Sequence, residues 1–229
     1  MKIKWGALVV AGRGKIGGHV GSRNSAGDYL RTKVTPVNPN TASQSLVRQR
    51  LTTISQSWRG LTDAQRQSFN AAVSDFARTD IFGDLKNPTG FNLYQRLNNN
   101  LAVIGATAIT QAPVPSPVLA VIIGALSIDI GAGDASTLAI SAAVPTATAM
   151  EISATPGLSQ GKSFVKSEYR LIQVSAAAAT SPIDIQAAYV AKFGTPAQFS
   201  KVFVQIKFIN TLTGQSSTTQ STSTIVVST

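Results

Sequence analysis

A chain of 229 residues, 43% hydrophobic and only 13% charged, about half the usual charged share, has room for one large or two small domains with a substantial core. It has no cysteine and one histidine, His19, which excludes disulfides and thiolate chemistry and argues against a histidine-based triad or metal site. The net charge of +10 is unevenly spread: residues 1–100 carry 14 Lys and Arg against 5 Asp, and the rest carry 6 basic against 5 acidic residues.

Residues 1–40 read as an extended basic arm rich in glycine, with short strands expected over Trp5–Ala11 and Tyr29–Thr35. The apolar run Ala7–Ala11 is shorter than the roughly 7–15 residues of a signal-peptide core. The longer run Val118–Leu126 falls far below the roughly 20 residues of a membrane span. The expectation is a soluble, unprocessed chain with no membrane partner. The connector Thr35-Pro36-Val37-Asn38-Pro39-Asn40 is stiff and extended, because proline fixes its own φ and restrains the residue before it.

Residues 41–111 read as a small three-helix segment. Thr41 with Gln44, and Thr62 with Gln65, have capping-box spacing. Val47, Leu51, Ile54, Trp58 and Leu61 make one apolar face, and Phe69, Ala72, Val73 and Phe76 make the next. A turn is expected around Gly83 and Asn87-Pro88. A third helix then starts near Thr89, carries Phe91, Tyr94, Leu97, Leu101 and Ile104, and stops at Gly105. Three such helices cover one another thinly and need a partner or a second domain.

Residues 112–118 form a proline-rich linker, and beyond it the period becomes strand-like. Strands are expected over Leu119–Ile130, Thr137–Ala142, Met150–Ala154, Phe164–Val174, Ile185–Phe193, Lys201–Ile209 and Thr224–Val227, with a loop over Ser216–Thr224. Seven short strands over 119–229 match the count of an immunoglobulin-like β-sandwich. The fold class is therefore α+β: a basic arm, a helical segment and an all-β second half.

Gly12-Arg13-Gly14-Lys15-Ile16-Gly17 has the spacing of a dinucleotide-binding loop. The continuation Gly18-His19-Val20-Gly21 is poor helix material, and no acid stands about 20 positions on to take a ribose hydroxyl. The segment reads instead as a glycine-rich hairpin or arm, and no cofactor is expected. Asp75, Asp80 and Asp84 are the nearest approach to an acidic cluster, and a polar helix end explains them better than a metal or catalytic pair. Glu151 and Glu168 fall in expected strands as solvent-facing acids.

The basic residues carry the functional signal. Trp5, Arg13, Lys15, Arg23, Tyr29, Arg31 and Lys33 are the candidate partner-binding residues: cations for an acidic protein surface or for phosphates, aromatics for stacking. Arg48, Arg50, Arg59 and Arg66 lie on helices, some of them on plain solvated faces. No catalytic residue stands out.

Two resemblances bear on this. Trp58-Arg59-Gly60-Leu61-Thr62-Asp63-Ala64-Gln65-Arg66-Gln67-Ser68-Phe69 with Ala72 resembles the second-helix junction of an HMG box, and Asn87–Tyr94 resembles that family's first helix, in reversed order. That likeness implies DNA binding through the helices and the basic arm. A wider one covers about residues 11–105: Gly12–Gly18, Ser22-Arg23-Asn24, Tyr29-Leu30-Arg31, Val34–Pro39 and Gly90–Tyr94. These are similar to proteins of tailed phages that infect Bacteroidetes, including crAss-like phages. The resemblance implies a non-enzymatic virion component, with an auxiliary capsid or decoration protein as the specific expectation. It would be assembled in the host cytoplasm and bound through the arm to the major capsid protein, other virion proteins or further copies of itself. Phage decoration proteins often use the immunoglobulin-like fold, in keeping with the second half.

Overall fold

The computed structural model describes residues 1–6, 11–24, 27–129 and 136–227. Among these the chain is mixed α+β, with four α-helices and several antiparallel sheets. Among the described residues no helix is long and apolar enough to cross a membrane.

Three of the helices start where their caps dictate. Thr41 opens α1 (Ala42–Gly60) and Thr62 opens α2 (Asp63–Ala71), each in a reciprocal capping box with Gln44 or Gln65. Thr89 opens α3 (Gly90–Val103), its hydroxyl accepting from the Asn92 amide. Such caps contribute about 1 kcal/mol each. Arg66 closes the α1–α2 corner by donating to the carbonyls of Trp58 and Arg59 at the end of α1, at 3.3 and 2.7 Å, beside the Leu61 amide that also donates to Trp58. A 3-10 turn, Ala72–Phe76, follows α2 and leads into a two-stranded hairpin, β4 (Arg78–Thr79) and β5 (Leu85–Lys86).

The helical core is aromatic. The Trp58 ring lies 6.0 Å from Phe69, 5.6 Å from Phe91 and 5.2 Å from Tyr94, and Phe69 meets Tyr94 edge-on at 5.2 Å. The apolar face expected along α1 divides in two. Ile54 and Leu61 are buried, whereas Val47 and Leu51 are 58% and 51% exposed. The reason is length: α1 extends about 28 Å, and the buried cluster reaches only its C-terminal half. The exit from α3 is a Schellman turn, with Gly105 at φ 71° and the Ala106 amide bonded to the Leu101 carbonyl. The buried Asn98 then binds both backbone groups of Ile109, folding residues 106–112 back onto α3.

The second half contains seven strands among the described residues. β6 (Ile123–Ser127), β7 (Thr137–Ile140) and β10 (Ile183–Asp184) form one sheet in the order β10-β7-β6. β8 (Thr148–Ala154), β9 (Arg170–Ser175), β11 (Lys201–Asn210) and β12 (Gln220–Ile225) form the other, in the order β12-β11-β8-β9. Both sheets send side chains into one buried cluster: Leu126, Leu138 and Ile183 from the first, Met150, Ile152, Val204, Ile206 and Phe208 from the second. Full burial contributes roughly 1.5–3 kcal/mol per large side chain.

Several expected boundaries move. Ile185–Phe193, expected as a strand, is mostly helix α4 (Gln186–Phe193). Its β-branched and aromatic residues suggested a strand, but Ile185, Tyr189 and Phe193 recur every four residues and reach the core together. Phe164 and Val165 precede β9 rather than belong to it, and the expected loop over Ser216–Thr224 contains most of β12. Glu151 is not a solvent-facing acid: it stands directly opposite Lys207 on β11 and pairs with it at 2.6 Å. Glu168 lies outside the strands and pairs with Lys162.

Residues 14–32, expected as an extended arm with its glycine-rich start read as a hairpin or arm, form a three-stranded antiparallel sheet, so that the start is a hairpin: β1 (Gly14–Ile16), β2 (His19–Asn24) and β3 (Gly27–Thr32). Glycine makes this sheet rather than breaking it. Gly17 takes φ 56° in the two-residue turn between β1 and β2. A Cβ at Gly21 would stand 3.0 Å from the Gly12 carbonyl. The expected strand Trp5–Ala11 lies largely outside the described residues; Trp5, Gly6 and Ala11 belong to no strand. The second expected strand, Tyr29–Thr35, ends earlier, at Thr32. Residues 33–40 have no regular structure and are exposed.

The two halves meet at α3. Gly214, in the turn between β11 and β12, has φ 69°, and a Cβ there would collide with the Leu97 carbonyl. Asn100 donates to the Gly214 carbonyl at 2.8 Å, and Gln215 exchanges hydrogen bonds with Val114 and Ser116 of the proline-rich linker. Gly214→Ala should therefore destabilise the chain by roughly 2 kcal/mol or more, through left-handed strain plus the clash. Urea unfolding of the variant beside the wild type measures this; equal midpoints would contradict the contact.

Candidate partner-binding surface

The sheet register sorts the seven candidate residues. Across the three strands, Lys15 is opposite Val20 and Val20 is opposite Arg31, so Lys15 and Arg31 share a face, about 10 Å apart at two strand spacings. Tyr29, two residues before Arg31, is on the same face and half-buried. Just past the end of β3 the Lys33 amide donates to the Gly18 carbonyl, and Arg13 lies just ahead of β1, where Gly14 takes φ 113°. Arg13, Lys15, Arg31 and Lys33 are all exposed.

Arg23 and Trp5 belong elsewhere. Arg23 is opposite Asp28 on the other face, with their charges 3.7 Å apart. Trp5 donates its Nε1–H to the same Asp28 carboxylate at 2.8 Å and covers Gly12, where a Cβ would lie 2.5 Å from the ring. Trp5 thus packs within the chain instead of standing free for stacking. The one acid of the first fifty residues is taken up on the Trp5 side, and the Lys15–Arg31 face has none. Arg13, Lys15, Arg31 and Lys33 take part in none of the ion pairs among the described residues.

The sheet is tied to the helical segment by charges. Residues 1–3 pair along the outer edge of β3, through Leu30 to Met1 and Ile3 to Asp28. From that edge Lys2 reaches Asp80 at 3.4 Å and Lys4 reaches Asp84 at 3.0 Å, with the Lys4 ammonium 5.3 Å from the Phe82 ring centre. Burial alone would raise the Asp80 carboxyl, but the Phe82 and Asp84 amides and the Lys2 ammonium outweigh it and hold the group below its ordinary value of 3.8. Two of the three acids expected as a polar helix end are thus hairpin acids that receive the N-terminal lysines. Asp75, the third, lies in the 3-10 turn.

The helix arginines divide similarly. Arg48 hydrogen-bonds Asn38 and Asn40, fastening the exposed connector to α1, and Arg66 closes a helix end. Arg50 lines an apolar cleft of about 280 Å³ beside Tyr94 and Ala106. Among the described residues no three His, Asp or Glu gather in a metal-binding group. Sequence reasoning missed the Arg78, Lys86 and Arg96 cluster on the hairpin and α3; the signal was a cross-strand pair of like charges, which needs the register to be visible.

No protein-family model, curated protein or solved structure matches the chain.

Asp80→Asn should loosen residues 1–6 and β3, read as faster amide hydrogen exchange there at neutral pH. Because the folded carboxyl titrates below 3.8, the tether is present above that pH and is lost as pH falls through the lower folded value. Unchanged exchange in the variant would show that the ion pairs do not hold the sheet.

Proposed function

We propose that this protein is a non-enzymatic structural component of a phage virion, an auxiliary capsid or decoration protein that docks through the Lys15–Arg31 face of its N-terminal sheet, with Arg13 and Lys33 at its margins. The observation that carries this reading is charge segregation: the exposed cations Lys15 and Arg31 share one face of a small sheet, with exposed Arg13 and Lys33 just beyond its strand ends, while the nearby acid, Asp28, is consumed on the other face. A face of one sign attracts an acidic partner and repels copies of itself in the wrong register. The resemblance of residues 11–105 to proteins of Bacteroidetes phages supports a virion setting, with the major capsid protein as partner.

The second half is, in this proposal, an immunoglobulin-like sandwich. Its strand order supports that: taken in sequence as A to G, the first sheet is E-B-A and the second is G-F-C with β9 added beside C. The bridge between Asp129 and Val227 joins the end of the first strand to the last in parallel. Such a module spaces or bridges subunits, and the exposed Val47 and Leu51 on α1 add apolar surface for a neighbouring virion protein.

The alternative is a DNA-binding protein that uses the same cations. It is favoured by the same lack of acids on the Lys15–Arg31 face. A variant with Lys15→Glu and Arg31→Glu, both exposed, tests this surface without disturbing the packed Trp5 side, and the partner whose binding it weakens separates the readings. Sedimentation with gradient-purified particles should show at least about tenfold weaker binding for the variant, the loss of about 1.4 kcal/mol. Undiminished binding would overturn the docking surface, and absence of the protein from particles together with steeply salt-dependent DNA binding would establish the alternative.

A further inference from the structure

The hairpin β4–β5 holds Arg78 directly opposite Lys86, a like-charge cross-strand pair of the kind that destabilises a sheet. Arg96, on α3, is brought beside them. Its guanidinium lies over the Phe76 ring at 5.5 Å, and it shares with Arg78 the lining of two clefts. The cleft on the hairpin side, about 390 Å³, is walled by Phe76, Arg78, Leu85, Lys86, Asn92 and Arg96 and has no acid in its lining. The cleft on the other side, about 230 Å³, includes Asp75, yet no carboxylate pairs with Arg78 or Arg96 among the described ion pairs. Lys86 is partly neutralised by Asp84 at 3.9 Å. Burial, and then the charge of Arg78, draw the Arg96 guanidinium below its ordinary value, as expected of a cation placed near another without a counter-ion.

We propose that the cleft between the β4–β5 hairpin and α3 binds a phosphate dianion, held by Arg78 and Arg96 with Lys86 as a third donor. Two guanidiniums without carboxylates leave two positive charges. A carboxylate would neutralise one; inorganic phosphate or a phosphate monoester carries about −1.5 to −2 near neutral pH and offers three acceptor oxygens. Arginine forks match those oxygens in pairs. The Asn92 side chain lines the same cleft. The site is separate from the Lys15–Arg31 face and does not rest on the virion reading.

The test is a titration of the full chain with inorganic phosphate at constant ionic strength, following the arginine side-chain N–H signals by NMR, beside Arg78→Gln and Arg96→Gln. Saturable shifts at Arg78 and Arg96 are expected, with apparent affinity reduced about tenfold in Arg78→Gln. Arg78 is exposed, so that variant should fold; without phosphate it should melt no lower than wild type, because a like-charge contact has been removed. A nucleoside 5′-monophosphate added in a second arm distinguishes the sources. Tighter binding than inorganic phosphate indicates a nucleotide using the Leu85 and Phe76 walls, and equal binding indicates a free anion. Shifts matched by chloride, an affinity unchanged in Arg78→Gln, or preference for a glutamate-rich peptide would each overturn the phosphate assignment.

Discussion

The contact between Gly214 and the backbone of α3 is the constraint on which the arrangement of the chain depends. Residue 214 must lack a side chain, because the Leu97 carbonyl occupies the place where Cβ would be. That approach lets Asn100 bond the turn and lets Gln215 hold the linker at Val114 and Ser116. Helix α3 therefore serves two cores. Leu93, Tyr94 and Leu97 join the aromatic cluster under α1 and α2, while the Leu97–Asn100 stretch receives the β11–β12 turn. The thin cover that three short helices give one another is thereby supplemented by the second half of the chain. Gly90 plays the matching part at the other end of α3, where a Cβ would lie against the Asn70 side chain at the close of α2.

The N-terminal sheet shows how a basic, glycine-rich stretch becomes ordered without a large core. Its strands satisfy their own backbone groups, and Trp5 supplies one aromatic cover over Gly12. Lysines at 2 and 4 then fix it to Asp80 and Asp84. Exposed ion pairs contribute little singly. Here the Asp80 carboxylate, only 5% exposed and already receiving two backbone amides, is a better anchor than an isolated surface acid.

How much of this is legible in the sequence depends on the range of the signal. The caps at Thr41, Thr62 and Thr89 are local and readable, as are the helices they open. The strand alternation of Val202, Val204, Ile206 and Phe208 is equally local, and all four are buried. What could not be read was non-local. Val47 and Leu51 fit the helical period as well as Ile54 does, and only the reach of the partner helices decides that they stay exposed. Gly12 and Gly21 look like flexibility in a list of residues, but one accommodates Trp5 and the other a neighbouring carbonyl. For the candidate surface, residue type was readable and face was not. Register separates Lys15 and Arg31 from Arg23, and the Asp28 hydrogen bond sets Trp5 apart.

The β4–β5 hairpin links the two charged regions through a single side chain. Its turn carries Asp80 and Asp84, which take the N-terminal lysines, and its base carries Arg78 and Lys86 beside Arg96. Lys86 stands between them, 3.9 Å from the Asp84 oxygen that Lys4 holds at 3.0 Å. An anion drawn to the base competes with Asp84 for Lys86, and an Asp84 that loses Lys86 interacts more strongly with Lys4. Occupation of the proposed cleft would therefore tighten the attachment of the N-terminal sheet, so that the hairpin base and the Lys15–Arg31 face would be linked through one shared carboxylate.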